Sequence, residues 1–330
     1  MEVLPGVHQV LVNHKNRPLK LYLLRVGAES MLIDTGFADT PEKEILPYFR
    51  AIGFDPRQLT YVMLTHPDVD HVGGAYAMRA AAPQARFVCG TADREQIETP
   101  ENLARMRARA HYFYHGLGPD DAKLAGLVRN AGGAGNRLDF ARTFDAQEKM
   151  VLGGRELTIL HLPGHSEGHL GVHVPWLNAA IIADAVHGTA NRFLDGKAAF
   201  ACTYMYVDAY LGTIAQLRAM KLEALLSCHW PDCLDQAAAS AFLKESETYA
   251  RHAEGVILEV VRAAGEGGIT LKEVCIRAKA RLGDWPSERD LDTRSMACGH
   301  LQRLTNVGRV RTMDGTPTKY AVETVWRGLR

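Results

Sequence analysis

The sequence predicts an α/β fold with a helical insertion and a small C-terminal unit, on three observations. Between residues 7 and 253, short apolar strands alternate with helical stretches. A stretch punctuated by glycine and proline at about 93–143 breaks that alternation with helices of its own. Past residue 254 the pattern becomes amphipathic helices and a hairpin, so the chain divides into residues 1–253 and 254–330. With 330 residues, 47% of them hydrophobic, it is long enough for one large domain and one small one.

Residues 7–12 and 19–34 read as strands, from the alternation in VHQVLV and the apolar runs in LKLYLLRV and SMLIDTG. PEKEILPYFRAIG carries proline at a helix start and ends on Gly53, so it reads as a helix, followed by the strand LTYVMLT and the helix GGAYAMRAAAP. Within the insertion, residues 99–131 read as two helices joined at GLGP with the glycine-rich exit AGGAGN. Strands resume in EKMVLGGRELTILHLPGH, turning at Gly153-Gly154, and continue in LGVHVPW and NAAIIADAV. A helix at 207–221, the strand EALLSCH and a helix at about 236–253 complete the large domain. VILEVVRAA, TLKEVCIRAKARLG and LDTRSMACGHLQRLTNVG read as three helices, and VGRVRTMDGTPTKYAVETV as a hairpin turning at Asp314-Gly315, which together describe a winged helix.

The 38 basic and 38 acidic residues cancel, so no global field steers the chain toward polyanions. Its first residues lack the basic segment, apolar stretch and cleavage site of a secretion signal, and no stretch is apolar enough for a membrane span; a cytoplasmic protein is expected. The six cysteines include no CxxC pair and fit buried thiols in a reducing compartment.

The histidines carry more information. THPDVDHVGG supplies His66, Asp68, Asp70 and His71 at the end of a strand, LPGHSEGH supplies His165, IIADAV supplies Asp184 and LLSCHW supplies His229. Each later member stands where an apolar strand runs out into a polar loop. A metal hydrolase needs such a set, gathered from several strand ends with one coordination position left for water.

DTG at 34–36, HPDVDH at 66–71, PGHSEGH at 163–169, Asp184 after an apolar strand and the late His229 resemble the metallo-β-lactamase superfamily over roughly residues 1–250. The resemblance implies an αββα sandwich with two divalent metal ions, zinc first, in a cleft at one edge. It assigns His66, position 68 and His165 to one ion, Asp70, His71 and His229 to the other, and Asp184 as the bridge. Asp34 would brace the motif loop from behind, and His169 matches a position that does not ligate. Asp68 departs from the family's usual HxHxDH. Either it is a solvated loop residue and the first ion is weak or absent, or its carboxylate ligates. In the second case three carboxylates and a hydroxide neutralise two divalent ions, and the harder oxygen donor admits iron or manganese. A glutamate at this position marks the flavodiiron branch, although no flavodoxin-like domain follows here.

The function so implied is hydrolysis of a small ester, lactone or thioester by a metal-bridging hydroxide that Asp70 orients. A di-iron, oxygen-reactive enzyme and a ribonuclease are the alternatives. Tyr204 and Tyr206 are expected near the substrate, as in lactonase-like members. His187 is a further pocket expectation, with Tyr112 and Tyr114 from HYFYHG, which serve equally well as packing for the insertion. A nucleic acid would have to meet the helix around 291–304, with Arg294 and Arg303. Residues 256–330 hold thirteen basic against nine acidic residues, and Asp284, Glu288, Asp290 and Asp292 crowd the start of that helix. A lid over the cleft or a homodimer contact is therefore the expected role of this unit.

Overall fold

The computed structural model describes residues 1–112, 117 and 121–323, without the side chains of 107–112 and 121. Seven strands form the first sheet in chain order: β1 (Glu2–Leu4), β2 (Val7–His14), β3 (Arg17–Val26), β4 (Glu29–Ile33), β5 (Tyr61–Leu64), β6 (Arg86–Gly90) and β7 (Arg142–Phe144). The second sheet uses β8 (Glu148–Leu152), β9 (Arg155–His161), β10 (Leu170–Val174) and β11 (Ala179–Ala183). A separate small hairpin, β12 (Asn191–Arg192) and β13 (Ala198–Phe200), follows, and β14 (Ala224–Ser227) then closes the second sheet in the order β14-β11-β10-β9-β8. β3 is buried continuously from Leu19 to Leu24, as an apolar run covered on both faces must be. β8 alternates, with Met150 and Leu152 buried and Val151 exposed, because one face of that edge strand is solvated.

The helices are α1 (Leu46–Ala51), α2 (Val69–Val72), α3 (Ala75–Ala81), α4 (Arg94–Glu98), α5 (Pro100–Tyr112), α6 (Asp121–Asn130), α7 (Val207–Ala219), α8 (Gln236–Ala263), α9 (Leu271–Leu282) and α10 (Arg294–Asn306). The inner faces of both sheets meet in one core, where Leu23 and Met63 join Leu157, Ile159, Val172 and Leu226, with Phe49 of α1 and Met78 of α3 in the same cluster. Leu160, Ile182 and Leu225 point the other way and pack with α7 and α8 in a second core. The result is the expected layering of helices, two sheets and helices.

The helix expected at about 236–253 and the one expected at 256–264 are a single 28-residue helix, α8, so the 253/254 division falls inside it. Asp235 caps its start by accepting from the Ala238 amide. Gly255 weakens a helix by only about 1 kcal/mol, and the buried row Ala250, Ala253, Val256, Ile257, Val260 and Val261 outweighs that cost.

Beyond α8 come β15 (Ile269–Thr270), α9 started by a Thr270–Glu273 capping box, a 3-10 turn over Ser287–Thr293, α10, and the hairpin β16 (Val310–Met313) and β17 (Lys319–Val322), with sheet order β15-β17-β16. The core of this unit is continuous with the second core, since Met296, Leu301 and Leu304 of α10 belong to it. The alternative that α10 lies in a nucleic-acid groove gains no support here. Its residues 296–301 are buried, Arg303 is bonded to Asp208 at 2.7 Å and Glu254 at 2.8 Å, and Arg294 to Asp292 at 3.3 Å. Among the described residues, no helix is long and apolar enough to cross a membrane.

Candidate metal centre

β4 ends at Ile33, and Asp34 turns the chain with φ +63°, a left-handed conformation that short polar side chains tolerate better than most. Its carboxylate is fully buried and accepts three hydrogen bonds from the neighbouring strand end: the Thr65 amide at 2.8 Å, the Thr65 hydroxyl at 2.8 Å and His71 Nδ1 at 2.8 Å. Gly74 permits this crossing, because a Cβ there would stand 2.3 Å from the Thr35 carbonyl oxygen. After β5 the chain delivers His66, and the single turn α2, begun by the Asp68 carbonyl accepting from the His71 and Val72 amides, delivers Asp70 and His71.

The other members arrive from the second sheet. His165 follows β9. Asp184 follows β11, which bulges between Ile181 and Ala183 against β14, with Ala183 at φ +45°. Such bulges re-aim side chains next to active sites. His229 follows β14 by two residues. Its loop is pinned by the Asp232 carboxylate, which accepts from Lys20 Nζ at 2.5 Å, Gln9 Nε2 at 2.7 Å and the Tyr22 hydroxyl at 2.9 Å.

All four histidines are oriented alike. His71 Nδ1 donates to Asp34, and His229 Nδ1 to the Pro18 carbonyl at 2.7 Å; both acceptors are acceptors only, so the proton sits on Nδ1. The Thr65 hydroxyl gives its proton to Asp34 and so accepts from His66 Nδ1 at 2.9 Å, while His165 Nδ1 lies 3.4 Å from the Thr203 hydroxyl. The Nε2 atoms consequently turn inward, onto carboxylates. His66 Nε2 lies 4.0 Å and His165 Nε2 3.5 Å from Asp68; His229 Nε2 lies 3.4 Å from both Asp70 and Asp184, and His71 Nε2 3.7 Å from Asp184. Ligand atoms about 2.0–2.2 Å from one tetrahedral ion stand about 3.3–3.6 Å apart, so these spacings suit a metal. The donor atoms of His66, Asp68 and His165 form one compact set and those of Asp70, His71 and His229 another, with Asp184 against His71.

The electrostatics agree. Burial pushes the His71 imidazole down, but the Asp34 and Asp184 carboxylates outweigh it and hold the group well above its ordinary pKa. His229 is likewise opposed by burial and raised by Asp184 and Asp70, and Asp70 is held below the usual carboxylate range despite its burial, chiefly by the bond to His229. His71 Nε2 and one oxygen of Asp184 are buried without a hydrogen-bond partner. Three carboxylates, Asp68, Asp70 and Asp184, around inward-facing imidazole nitrogens form an environment that favours cations, and the residues fit two divalent ions.

The front of the centre opens on a cavity of about 700 Å³ that Asp68, Asp70, Asp184, His165 and His229 border. Asp68 lies beside the two histidines of its set, its side chain 20% exposed and bordering the cavity. Tyr206 also borders the cavity. Two pocket expectations are corrected. Tyr204 is fully buried, stacked on Tyr210 with its hydroxyl 3.0 Å from His300 Nε2, because a core of apolar residues and α10 covers it. His187 is fully buried behind His165, between Trp230 and Tyr210, and does not face the cavity. Tyr114 and the Tyr112 side chain lie outside the described residues.

Sequence reading missed Thr65, Thr203 and Asp232. Lys20, a charge inside the apolar run LKLYLL, was the available signal for Asp232, since a buried ammonium needs a counter-charge.

Residues 20–229 match the family model of the Metallo-beta-lactamase superfamily. Among solved structures, a metallo-beta-lactamase family protein from Thermus thermophilus superposes with TM-score 0.72 at 17% identity, over 97% of this chain and 99% of that one. A beta-lactamase domain protein from Burkholderia ambifaria gives 0.69 at 17% over 98% and 93%, and the sec-alkylsulfatase Pisa1 from Pseudomonas sp. gives 0.60 at 19% over 92% and 49%. With the family model covering more than half of its length, and its fold shared from end to end with such structures, the chain belongs to the Metallo-beta-lactamase superfamily, whose members are typically binuclear metallo-hydrolases.

Proposed function

We propose that this protein is a metal-dependent hydrolase of a small ester, lactone or thioester. The observation that carries the reading is the pair of three-residue donor sets, His66/Asp68/His165 and Asp70/His71/His229, side by side with Asp184 at the floor of one cavity. Two divalent ions held there, zinc foremost and iron or manganese admitted by the third carboxylate, would supply an activated water and a Lewis acid for the substrate carbonyl.

The chain's own groups would do the rest. Asp70, at the cavity edge, would orient the attacking water and carry its proton to the leaving group. Tyr206, which burial keeps protonated, offers its hydroxyl to the oxygen that becomes negative. No protein nucleophile is required, and Cys228 is unsuited to be one, since burial pushes its thiol up to about 12. The C-terminal unit serves as a wall of the cleft, because Arg289, Asp292 and Arg294 border the same cavity.

The test is turnover by metal-loaded protein of matched ester, lactone and thioester substrates. The expected result is hydrolysis of at least one class, abolished by a chelator and restored by zinc. Hydrolysis of none, or oxygen consumption with iron bound, would overturn the reading.

A further inference from the structure

Two arginines from opposite ends of the chain converge beside the centre. Arg17, at the start of β3, and Arg289, in the 3-10 turn before α10, both line the cavity, and both place their guanidinium carbon over the ring of Phe200, at 4.9 and 5.0 Å from its centroid. Arg17 is half-buried and makes no ion pair with a described residue. It adjoins Pro18, whose carbonyl holds His229. Burial lowers its pKa, the nearby Asp70 raises it and the charge of Arg289 lowers it again, so the two guanidinium groups feel one another and the centre. Arg289 shares the carboxylate of Asp292, at 2.7 Å, with Arg294, at 3.3 Å. Asp292 thus serves two arginines on this wall while Arg17 has no ion pair of its own among the described residues, and like charges held together in a partly buried place favour a bound anion.

We infer that the substrate carries an anionic group, a carboxylate or an equivalent oxyanion, which docks between Arg17 and Arg289 against Phe200. The inference rests on the hydrolase reading only for the word substrate. The C-terminal unit is then part of the specificity site: it supplies half of the anion clamp, and β13 supplies the ring over which both halves lie. Planar guanidinium groups match carboxylate geometry, and Phe200 gives the adjoining carbon chain an apolar contact.

The experiment is calorimetric binding of 3-phenylpropionate and its neutral isostere 3-phenylpropionamide to the metal-loaded protein and to Arg17→Gln, Arg289→Gln and Arg289→Lys variants. Arg289 is exposed, so its replacement leaves folding intact. The wild type is expected to prefer the carboxylate by about tenfold or more, the worth of a charged hydrogen bond. Arg289→Gln and Arg17→Gln should each remove most of that preference without changing amide binding, and Arg289→Lys should keep part of it. Equal affinity for the two ligands, no measurable carboxylate binding, or a preference that survives Arg289→Gln because the metal centre alone holds the anion, would each overturn the proposal. Binding is read without turnover, so failure to hydrolyse any ester would sink the proposed activity and leave this site standing.

Discussion

Asp34 sets the orientation of two histidines at once, directly for His71 and through Thr65 for His66. Asparagine there has one carbonyl oxygen and an amide that donates, so at least one of the three donors would face another donor. Asp34→Asn should weaken the ion held by Asp70, His71 and His229 about 10–100-fold, as loss of such a supporting partner does elsewhere. Chelator competition measures it, and unchanged affinity would contradict the role. Asp93 gives a pH prediction. It is buried, accepts from the Ser166 hydroxyl at 2.5 Å, and burial raises its carboxyl to about 6 from an ordinary 3.8. Its folded value lies above its unfolded one, so between pH 3.8 and about 6 the unfolded chain holds fewer protons and stability falls as pH rises. Relative to Asp93→Asn, the wild type should lose of order 1–3 kcal/mol across that window. Parallel urea-unfolding stabilities for the two proteins from pH 4 to 7 would contradict this.

At the scale of elements, the close contact between α10 and the segment before α7 holds the C-terminal unit in place. A Cβ on Gly299 would stand 2.0 Å from the Met205 carbonyl oxygen. Gly299→Ala would gain up to about 1 kcal/mol of helix propensity, but the clash is with backbone and overpacking costs about 1–3 kcal/mol. Net destabilisation is expected in urea titration, and a more stable variant would refute the contact. These elements also show what the sequence could reveal. The strands ending in His66, His165, Asp184 and His229 were legible because period-two or continuous apolar runs stop abruptly at charged ligand-type residues. The join of α8 was not legible: Gly255 looks like punctuation, and only the tertiary burial of Val256, Ile257 and Val260 shows that it is passed over. Tyr204 and His187 were misjudged for a related reason. Closeness to Asp184 in the chain does not say which side of a bulged strand end the His187 ring takes, and likeness to lactonase-like members does not say that α10 covers Tyr204; one ring lies behind His165 and the other in the core shared with α10. Arg17 and Phe200 gave no sequence signal, being ordinary surface-strand residues until the C-terminal unit folds over them.

For the whole molecule, the C-terminal unit is fused to the rest by a shared core and a shared helix, and it borders the cavity. A chain ending at residue 253 cuts α8 and strips apolar cover from its second core. It should aggregate or melt about 10 °C or more below the full chain, and a thermal melt equal to that of the full chain would show the unit to be dispensable. The central claim remains that seven side chains, drawn from the ends of both sheets, hold two ions. Counting metal per chain by mass spectrometry in wild-type, Asp68→Ala and Asp68→His proteins, each loaded with zinc and freed of excess, tests it most directly. The account predicts two ions in the wild type, one in Asp68→Ala and two in Asp68→His. One ion or none in the wild type, or two in Asp68→Ala, would contradict it.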